Sequence, residues 1–333
     1  MRHRVAESAP NKTTVRSVGS AERIARDREV QLTTGRTARE PLFLLGAPRS
    51  GTTLLYKTLC LHPGTAWISN WGRRAPSVPD LAVLNRLARR RPATRRRVWF
   101  GDDANAYVYG RPRSLVERLF PMPVEGEPLY RRAGVPEAPG SPIAPDAAVR
   151  LRRSFGRVTR AQGGSVLVSK RIANNHRVPL LQQAFPEGRF VALVRDGRAV
   201  AYSLSRVDWW ETSTVWFYGG TPRQWEDEGR DPWELCARTW ATEVVDIERG
   251  LAPVPDDQVL RLSYESFMRD PRRTLSEVAS FAGLGTSAEW DDALDSLEFP
   301  DRNERWRTAL EPTAIATIEA HQHEQLERYG YVD

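Results

Sequence analysis

From Pro41 onward the chain alternates short, continuous apolar runs with longer stretches whose apolar residues recur at helical spacing. Residues 42–45 (Leu-Phe-Leu-Leu) are apolar throughout and stop at Gly46, which marks a strand buried on both faces, as in a parallel sheet. Residues 50–61 then carry Leu54, Leu55 and Leu59 on one helical face and end at His62-Pro63-Gly64. A second strand is predicted over 65–69, and further strands over 166–169, 189–194 and 258–262. Between and after them, helices are predicted near 147–161, 179–184, 197–206, 232–248, 272–281 and 312–328. Short apolar strands alternating with helices predict the α/β class, a central parallel sheet flanked by helices in three layers.

Two stretches break this rhythm. Residues 1–40 are polar, mixed in charge and without apolar periodicity, which predicts a mobile arm. Residues 72–148 open with a predicted helix over 79–90, with Leu81, Leu84 and Leu87 on one face. A series of prolines from Pro112 to Pro145 follows, and these exclude a continuous element. This region reads as a Pro/Arg-rich insertion or lid within a single domain over 41–333.

Composition removes several classes. The 333 residues, 40% hydrophobic and 27% charged, suffice for a buried core. No apolar run approaches the roughly 20 residues that span a bilayer, and no signal-peptide core is present. Cys60 and Cys236 lie too far apart in sequence for a metal-binding spacing, so a reducing, cytoplasmic setting is expected. The net charge of +7 is almost all arginine, since Lys12, Lys57 and Lys170 are the only lysines. The runs Arg89–Arg91 and Arg95–Arg97 therefore read as solvated surface ahead of a phosphate track, and no nucleic-acid partner is expected. A lysine kept in an arginine-saturated chain draws attention to Lys170.

The segment Gly46-Ala-Pro48-Arg49-Ser50-Gly51-Thr52-Thr53 joins the first strand to the first helix. Glycines let such a turn wrap an anion, and the amides of the first helical turn then point at it with the helix dipole. Ser50, Thr52 and Thr53 add hydroxyls and Arg49 adds a forked cation. The spacing copies the ATP-binding Gly-Lys-[Ser/Thr] loop, yet Thr52 stands where that lysine would reach the terminal phosphates. A nucleotide triphosphate with magnesium is poorly served, while a smaller phosphate–sulfate anion fits.

Arg49-Ser50-Gly51-Thr52-Thr53 resembles the 5'-phosphosulfate loop of the sulfotransferase superfamily, in the arginine form of its bacterial and Golgi branches. The strand Phe190–Val194, ending in Arg195 with Ser203 eight residues on, is similar to the 3'-phosphate element of that family. Lys170-Arg-Ile-Ala-Asn174-Asn-His176-Arg177 and Ser69-Asn70-Trp71 resemble segments of a bacterial branch. Tyr264-Glu265 with Asp270-Pro271, and Asn303-Glu-Arg-Trp306-Arg307, are similar to two later segments beside the nucleotide. The resemblance spans about 41–331 and implies a P-loop-like fold. It also implies transfer of a sulfuryl group from 3'-phosphoadenosine 5'-phosphosulfate to a hydroxyl, with no metal. Donor contacts are implied at Pro48, the loop through Thr53, Arg195, Ser203, Tyr264, Trp306 and Arg307.

By the same resemblance Arg49 and Lys170 would stabilise the leaving phosphate, although Lys170 also reads as an ordinary strand-end ion pair. The base is less defined, because Ile172 stands where cytosolic enzymes carry histidine and Asn70 where Golgi enzymes carry glutamate. Glu125, in the predicted lid, is the first candidate and reads equally well as a surface glutamate. His176 is the second, and reads more readily as a helix-start or core histidine. Leu54 replaces a tryptophan that cytosolic relatives place near adenine. Six of the eleven tryptophans fall between Trp209 and Trp240, suiting core packing or an acceptor such as a carbohydrate, glycolipid or secondary metabolite. A homodimer is compatible with all of this. The competing classes are a P-loop kinase or NTPase and an arginine-rich nucleic-acid binder.

Overall fold

The computed structural model describes residues 39–101, 114–137 and 140–332. The polar arm expected over 1–40 lies almost wholly outside these residues, as do Pro112 and Pro139 of the proline-rich stretch. Five strands form one sheet: β1 (Leu42–Leu45), β2 (Thr65–Trp67), β3 (Val166–Lys170), β4 (Arg189–Val194) and β5 (Val259–Ser263). They are ordered β2-β3-β1-β4-β5 and every neighbouring pair is parallel. The chain crosses over between strands through helices, chiefly Thr52–Leu59, Pro145–Gln162, Gly197–Leu204 and Pro232–Leu251.

The continuous apolar runs have a direct cause in this geometry. Alternate side chains of a strand point to opposite faces, and here both faces are covered. Leu42 and Leu44 of β1, with Val191 and Leu193 of β4, join the layer built on the Thr52–Leu59 and Pro271–Phe281 helices. Phe43 and Leu45, with Phe190 and Ala192, join the opposite layer, under Pro145–Gln162 and the end of Pro232–Leu251. The result is the expected three-layer α/β architecture.

Two expectations change. Residues 79–90 are not one α-helix: Pro79–Asn85 is a 3-10 helix, and only Arg86–Arg90 is α-helical. The buried positions of the 3-10 helix are Pro79, Ala82 and Asn85, three apart as its geometry dictates, and Ala88 continues the row on the following α-helical turn. Asn85 Nδ2 donates to the Trp67 carbonyl at 3.0 Å and so fastens the segment beside edge strand β2. Leu84 and Leu87 consequently face outward. The second change concerns residues 120–133 of the expected insertion. Phe120, Met122 and Val124 are buried in one layer, and Leu129, Tyr130 and Ala133 in the other. Asn70 N donates to the Met122 carbonyl at 3.1 Å and Val124 N to the Ile68 carbonyl at 3.0 Å, locking this stretch against the exit of β2.

Candidate functional site

The loop after β1 is shaped by three consecutive constraints. Gly46 has φ +154°, and a Cβ there would lie 2.6 Å from the Leu193 carbonyl oxygen, so β1 and β4 approach closely only with glycine. Arg49 has φ +71° and is the one non-glycine residue with positive φ among the described residues. That conformation costs about 1–2 kcal/mol and is the kind of strain held at binding sites. Gly51, φ +87°, begins the Thr52–Leu59 helix, and a Cβ on it would meet the Tyr264 ring at 2.6 Å. No side chain caps this helix and no acidic residue sits in its first turn. Its first amides and the positive end of its dipole thus favour an anion. Thr52 is buried, Pro48 and Thr53 half-buried, and the buried Ser50 hydroxyl has no hydrogen-bond partner.

The second signature folds onto the first. Arg195 leaves β4 at the carboxyl edge of the sheet, and Ser203 lies on the Gly197–Leu204 helix. Arg49 Nε donates to Ser203 Oγ at 3.0 Å, and an Arg195 Nη donates to the Arg49 carbonyl at 3.0 Å. Arg195 also donates to Asn303 Oδ1 at 3.0 Å and to the Arg302 carbonyl at 3.2 Å, and its guanidinium stacks 4.2 Å from the Tyr264 ring centre. Every one of these acceptors is neutral, and Arg195 is only 6% exposed. Burial lowers its pKa, partly offset by Tyr264 and Glu265. A buried cation whose hydrogen bonds all go to neutral oxygens attracts an anion, with Glu265, Asp301 and Asp196 nearby offsetting part of its charge.

The closing segment behaves differently. Trp306 is buried between the guanidinium groups of Arg198 and Arg307, each 4.6 Å from its ring. Arg307 is exposed and paired with Glu304. The residue of this segment that reaches the second signature is Asn303, bridging Arg195 and Glu265.

Lys170 ends β3, level with Leu44 of β1, and is thus beside the phosphate loop at the same sheet edge. Its Nζ lies 2.5 Å from Glu125 Oε1. The other Glu125 oxygen receives Arg171 at 2.6 Å, and Arg171 continues to Glu127 at 2.9 Å. Arg177 then donates to both Glu127 oxygens at 3.0 Å. Burial would raise the Glu125 pKa, but the charges and hydrogen bonds of Lys170 and Arg171 outweigh it and hold it below the ordinary carboxylate value. Glu127 is lowered in the same way by Arg177 and Arg171 against its own burial. Beside this row, the Tyr130 hydroxyl meets Ser169 Oγ at 2.7 Å, and burial pushes its pKa up to about 12.

His176 belongs to another cluster. Its Nδ1 lies 2.5 Å from Asp246 and its Nε2 3.3 Å from Glu243, both on the Pro232–Leu251 helix. Burial lowers its pKa, yet the two carboxylates more than compensate and the net shift is upward. Both ring nitrogens face carboxylates, so His176 is poorly disposed to take a proton from a substrate. Its neighbour Asn175, to which no role attached in the sequence, holds the loop after β1. Gly46 N donates to Asn175 Oδ1 at 3.1 Å, and Asn175 Nδ2 donates to the Gly46 carbonyl at 3.0 Å and to Glu243 at 2.6 Å. An amide side chain pairing with one backbone unit leaves no local sequence pattern. The tryptophan-rich stretch divides: Trp210, Trp225 and Trp240 are buried, whereas Trp209 and Trp216 are exposed, the latter donating to Glu243 at 3.2 Å.

A model of the family described as "Sulfotransferase family" matches residues 41–292. Among solved structures, sulfotransferase STF9 from Mycobacterium avium aligns at a TM-score of 0.54 and 16% identity, over 92% of this chain and 80% of that one. Sulfotransferase STF1 from Mycobacterium tuberculosis H37Rv aligns at 0.52 and 15% identity, over 90% and 80%. No curated protein matches the chain. These structural likenesses speak for the fold.

Proposed function

The chain belongs to the sulfotransferase family and is a sulfuryl-transferring enzyme, and we propose that it uses 3'-phosphoadenosine 5'-phosphosulfate to sulfate a hydroxyl of a carbohydrate, glycolipid or secondary metabolite. The observation that carries this reading is the junction of the two phosphate elements. Arg49 bonds to Ser203 through its side chain and to Arg195 through its carbonyl, each at 3.0 Å, and Arg195 is a buried cation whose hydrogen bonds among the described residues all go to neutral oxygens. The orphan Ser50 hydroxyl and the uncapped helix at Thr52 suit the same anion.

The donor supplies a sulfuryl group whose transfer leaves negative charge on the bridging oxygen of adenosine 3',5'-bisphosphate. The amides from Gly51 onward, at the uncapped start of the Thr52–Leu59 helix, would meet that charge with little reorganisation, and the nearby Arg49 would add its positive charge. Arg195 and Ser203 would hold the 3'-phosphate, and Arg49, hydrogen-bonded to Ser203, would share that contact. Asn303 keeps Arg195 in its rotamer, and Tyr264 packs behind both Arg195 and Gly51. Lys170 stands at the carboxyl edge beside the loop and would donate toward the group in transit.

Glu125 is the proposed proton acceptor. It is a carboxylate beside Lys170, whereas His176 has both nitrogens engaged. Its two cationic partners make it a weak base, which is tolerable where the path is loose and the acceptor proton leaves late. The setting proposed for the enzyme is the cytoplasm; among the described residues no helix is long and apolar enough to cross a membrane. The test is a donor-dependent sulfation screen across acceptor classes with Arg49→Ala and Glu125→Gln. Both variants should lose at least about a hundredfold in kcat/KM. Unchanged turnover in Glu125→Gln would remove Glu125 as the base, and absence of donor-dependent product with every acceptor would remove the reading itself.

A further inference from the structure

The outward sides of residues 71–101 and 114–119 combine two properties that surfaces normally keep apart. Val78, Val83, Leu84 and Leu87 are 39–45% exposed, and Leu115 and Leu119 are exposed as well. These six account for all but Trp209 and Trp216 of the large exposed apolar side chains among the described residues. The same stretch is densely cationic: residues 73–97 contain nine arginines against one carboxylate, Asp80, and Asp80 is taken by Arg157. Arg86, Arg90, Arg91, Arg96 and Arg97 are exposed, and none forms an ion pair with a described residue.

The parts are tied into one surface. The Asn70–Arg74 helix connects to the Leu115–Leu119 helix through Trp71 Nε1, which donates to the Leu119 carbonyl at 2.9 Å, and through Asn70 Nδ2 to Arg118 at 3.2 Å. Arg74 lies over the Trp71 ring at 5.4 Å. From Ala75 the chain turns directly into Val78 and the Pro79–Asn85 3-10 helix. Exposed aliphatic tips, a tryptophan and guanidinium groups thus lie on adjoining elements, with Ala82, Asn85 and Ala88 buried beneath them.

We propose that this face docks on an anionic lipid surface. Charge complementarity selects the occupant. Arginines draw the protein to acidic headgroups, and the valines and leucines then enter the boundary between headgroups and acyl chains, the arrangement of interfacial helices that lie on a membrane without spanning it. A nucleic acid would use the arginines but has no use for four exposed aliphatic residues among them. The proposal does not depend on the donor or acceptor of the reaction.

The test is co-sedimentation of the full chain with vesicles of phosphatidylcholine alone and of phosphatidylcholine mixed with phosphatidylglycerol. Binding is expected only with phosphatidylglycerol and should weaken as salt is raised. Leu84→Gln/Leu87→Gln and Arg90→Gln/Arg91→Gln should each lower the partition coefficient by about tenfold, with melting temperatures unchanged because all four side chains are exposed. Loss of sedimentation in the arginine pair but not in the leucine pair would overturn the proposal in favour of non-specific charge attraction. Equal binding to both vesicle types, or none, would overturn it as well. So would a leucine-dependent self-association seen by ultracentrifugation without lipid, which would assign the face to a second copy of the chain.

Discussion

Replacing Asn175 with alanine should loosen the phosphate loop from behind, although Asn175 lies on a different element. The residue is 1% exposed and makes three buried hydrogen bonds. The variant leaves the Gly46 N–H without an acceptor, the Gly46 carbonyl without its side-chain donor and Glu243 without one of its donors. Each stranded buried group costs about 1–3 kcal/mol, so a loss of about 3–5 kcal/mol follows after local relaxation. For a domain of this size that corresponds to a melting temperature lower by about 6–10 °C. Gly46 has no freedom to shift toward β4, because the Leu193 carbonyl already closes that side. The loop must therefore move as a unit, and affinity for adenosine 3',5'-bisphosphate should fall by about tenfold, or ~1.4 kcal/mol. Calorimetric titration and differential scanning calorimetry read the two effects. Asn175→Asp should be no better, since it keeps one acceptor but loses both donors and sets a second carboxylate against Glu243. An Asn175→Ala protein with the melting temperature and nucleotide affinity of the parent would refute the reasoning.

Gly51→Ala places a Cβ at φ +87° and 2.6 Å from the Tyr264 ring, so nucleotide affinity measured by calorimetry should drop more than stability does. In the Lys170–Glu125–Arg171 row, Glu125→Gln, which takes the shared carboxylate from two cations, should destabilise the protein more in chemical denaturation than Lys170→Met, which leaves Glu125 paired with Arg171 at 2.6 Å. The His176 pKa is raised in the folded state. Its contribution is thus fully present below its ordinary value of about 6.5 and is lost as pH rises through the folded value. Denaturation profiles should accordingly show His176→Gln converging on the parent protein at alkaline pH. Glu125 and Glu127 act in the opposite sense: both pKa values are lowered. The stability they add is present above the ordinary carboxylate value and disappears as pH falls through the folded values, which acid denaturation of Glu127→Gln should reveal as a flatter slope.

Much of the architecture was legible in the chain. Strands β1 and β4 match the predicted 42–45 and 189–194, because strands covered on both faces must be continuously apolar and glycine or arginine ends them sharply. The tight turn after β1 was legible for a related reason: its requirements are local, a few residues that must adopt left-handed φ and leave a helix uncapped. Residues 79–90 were misread because apolar spacing alone does not distinguish a core-facing stripe from an exposed one. Here Asn85 and Ala82 take the inner positions that leucines were expected to fill. The support of the site was hidden for a different reason. Asn175 on Gly46, Asn303 on Arg195 and the row from Lys170 to Arg177 are pairings between distant segments that leave no periodic mark. The place of Glu125 in the chain does not reveal its two cationic partners, which appear only once residues 125 and 170 are brought together by the fold.

The central claim, that the loop after β1 and the Arg195–Ser203 element form one site for a 3'-phosphorylated nucleotide, meets its most direct test in a paired calorimetric titration. Adenosine 3',5'-bisphosphate should bind without magnesium, and Arg195→Ala, which removes the buried cation, should weaken it by at least about a hundredfold, or ~2.7 kcal/mol. Tight magnesium-dependent binding of ATP, with no heat from adenosine 3',5'-bisphosphate, would contradict it.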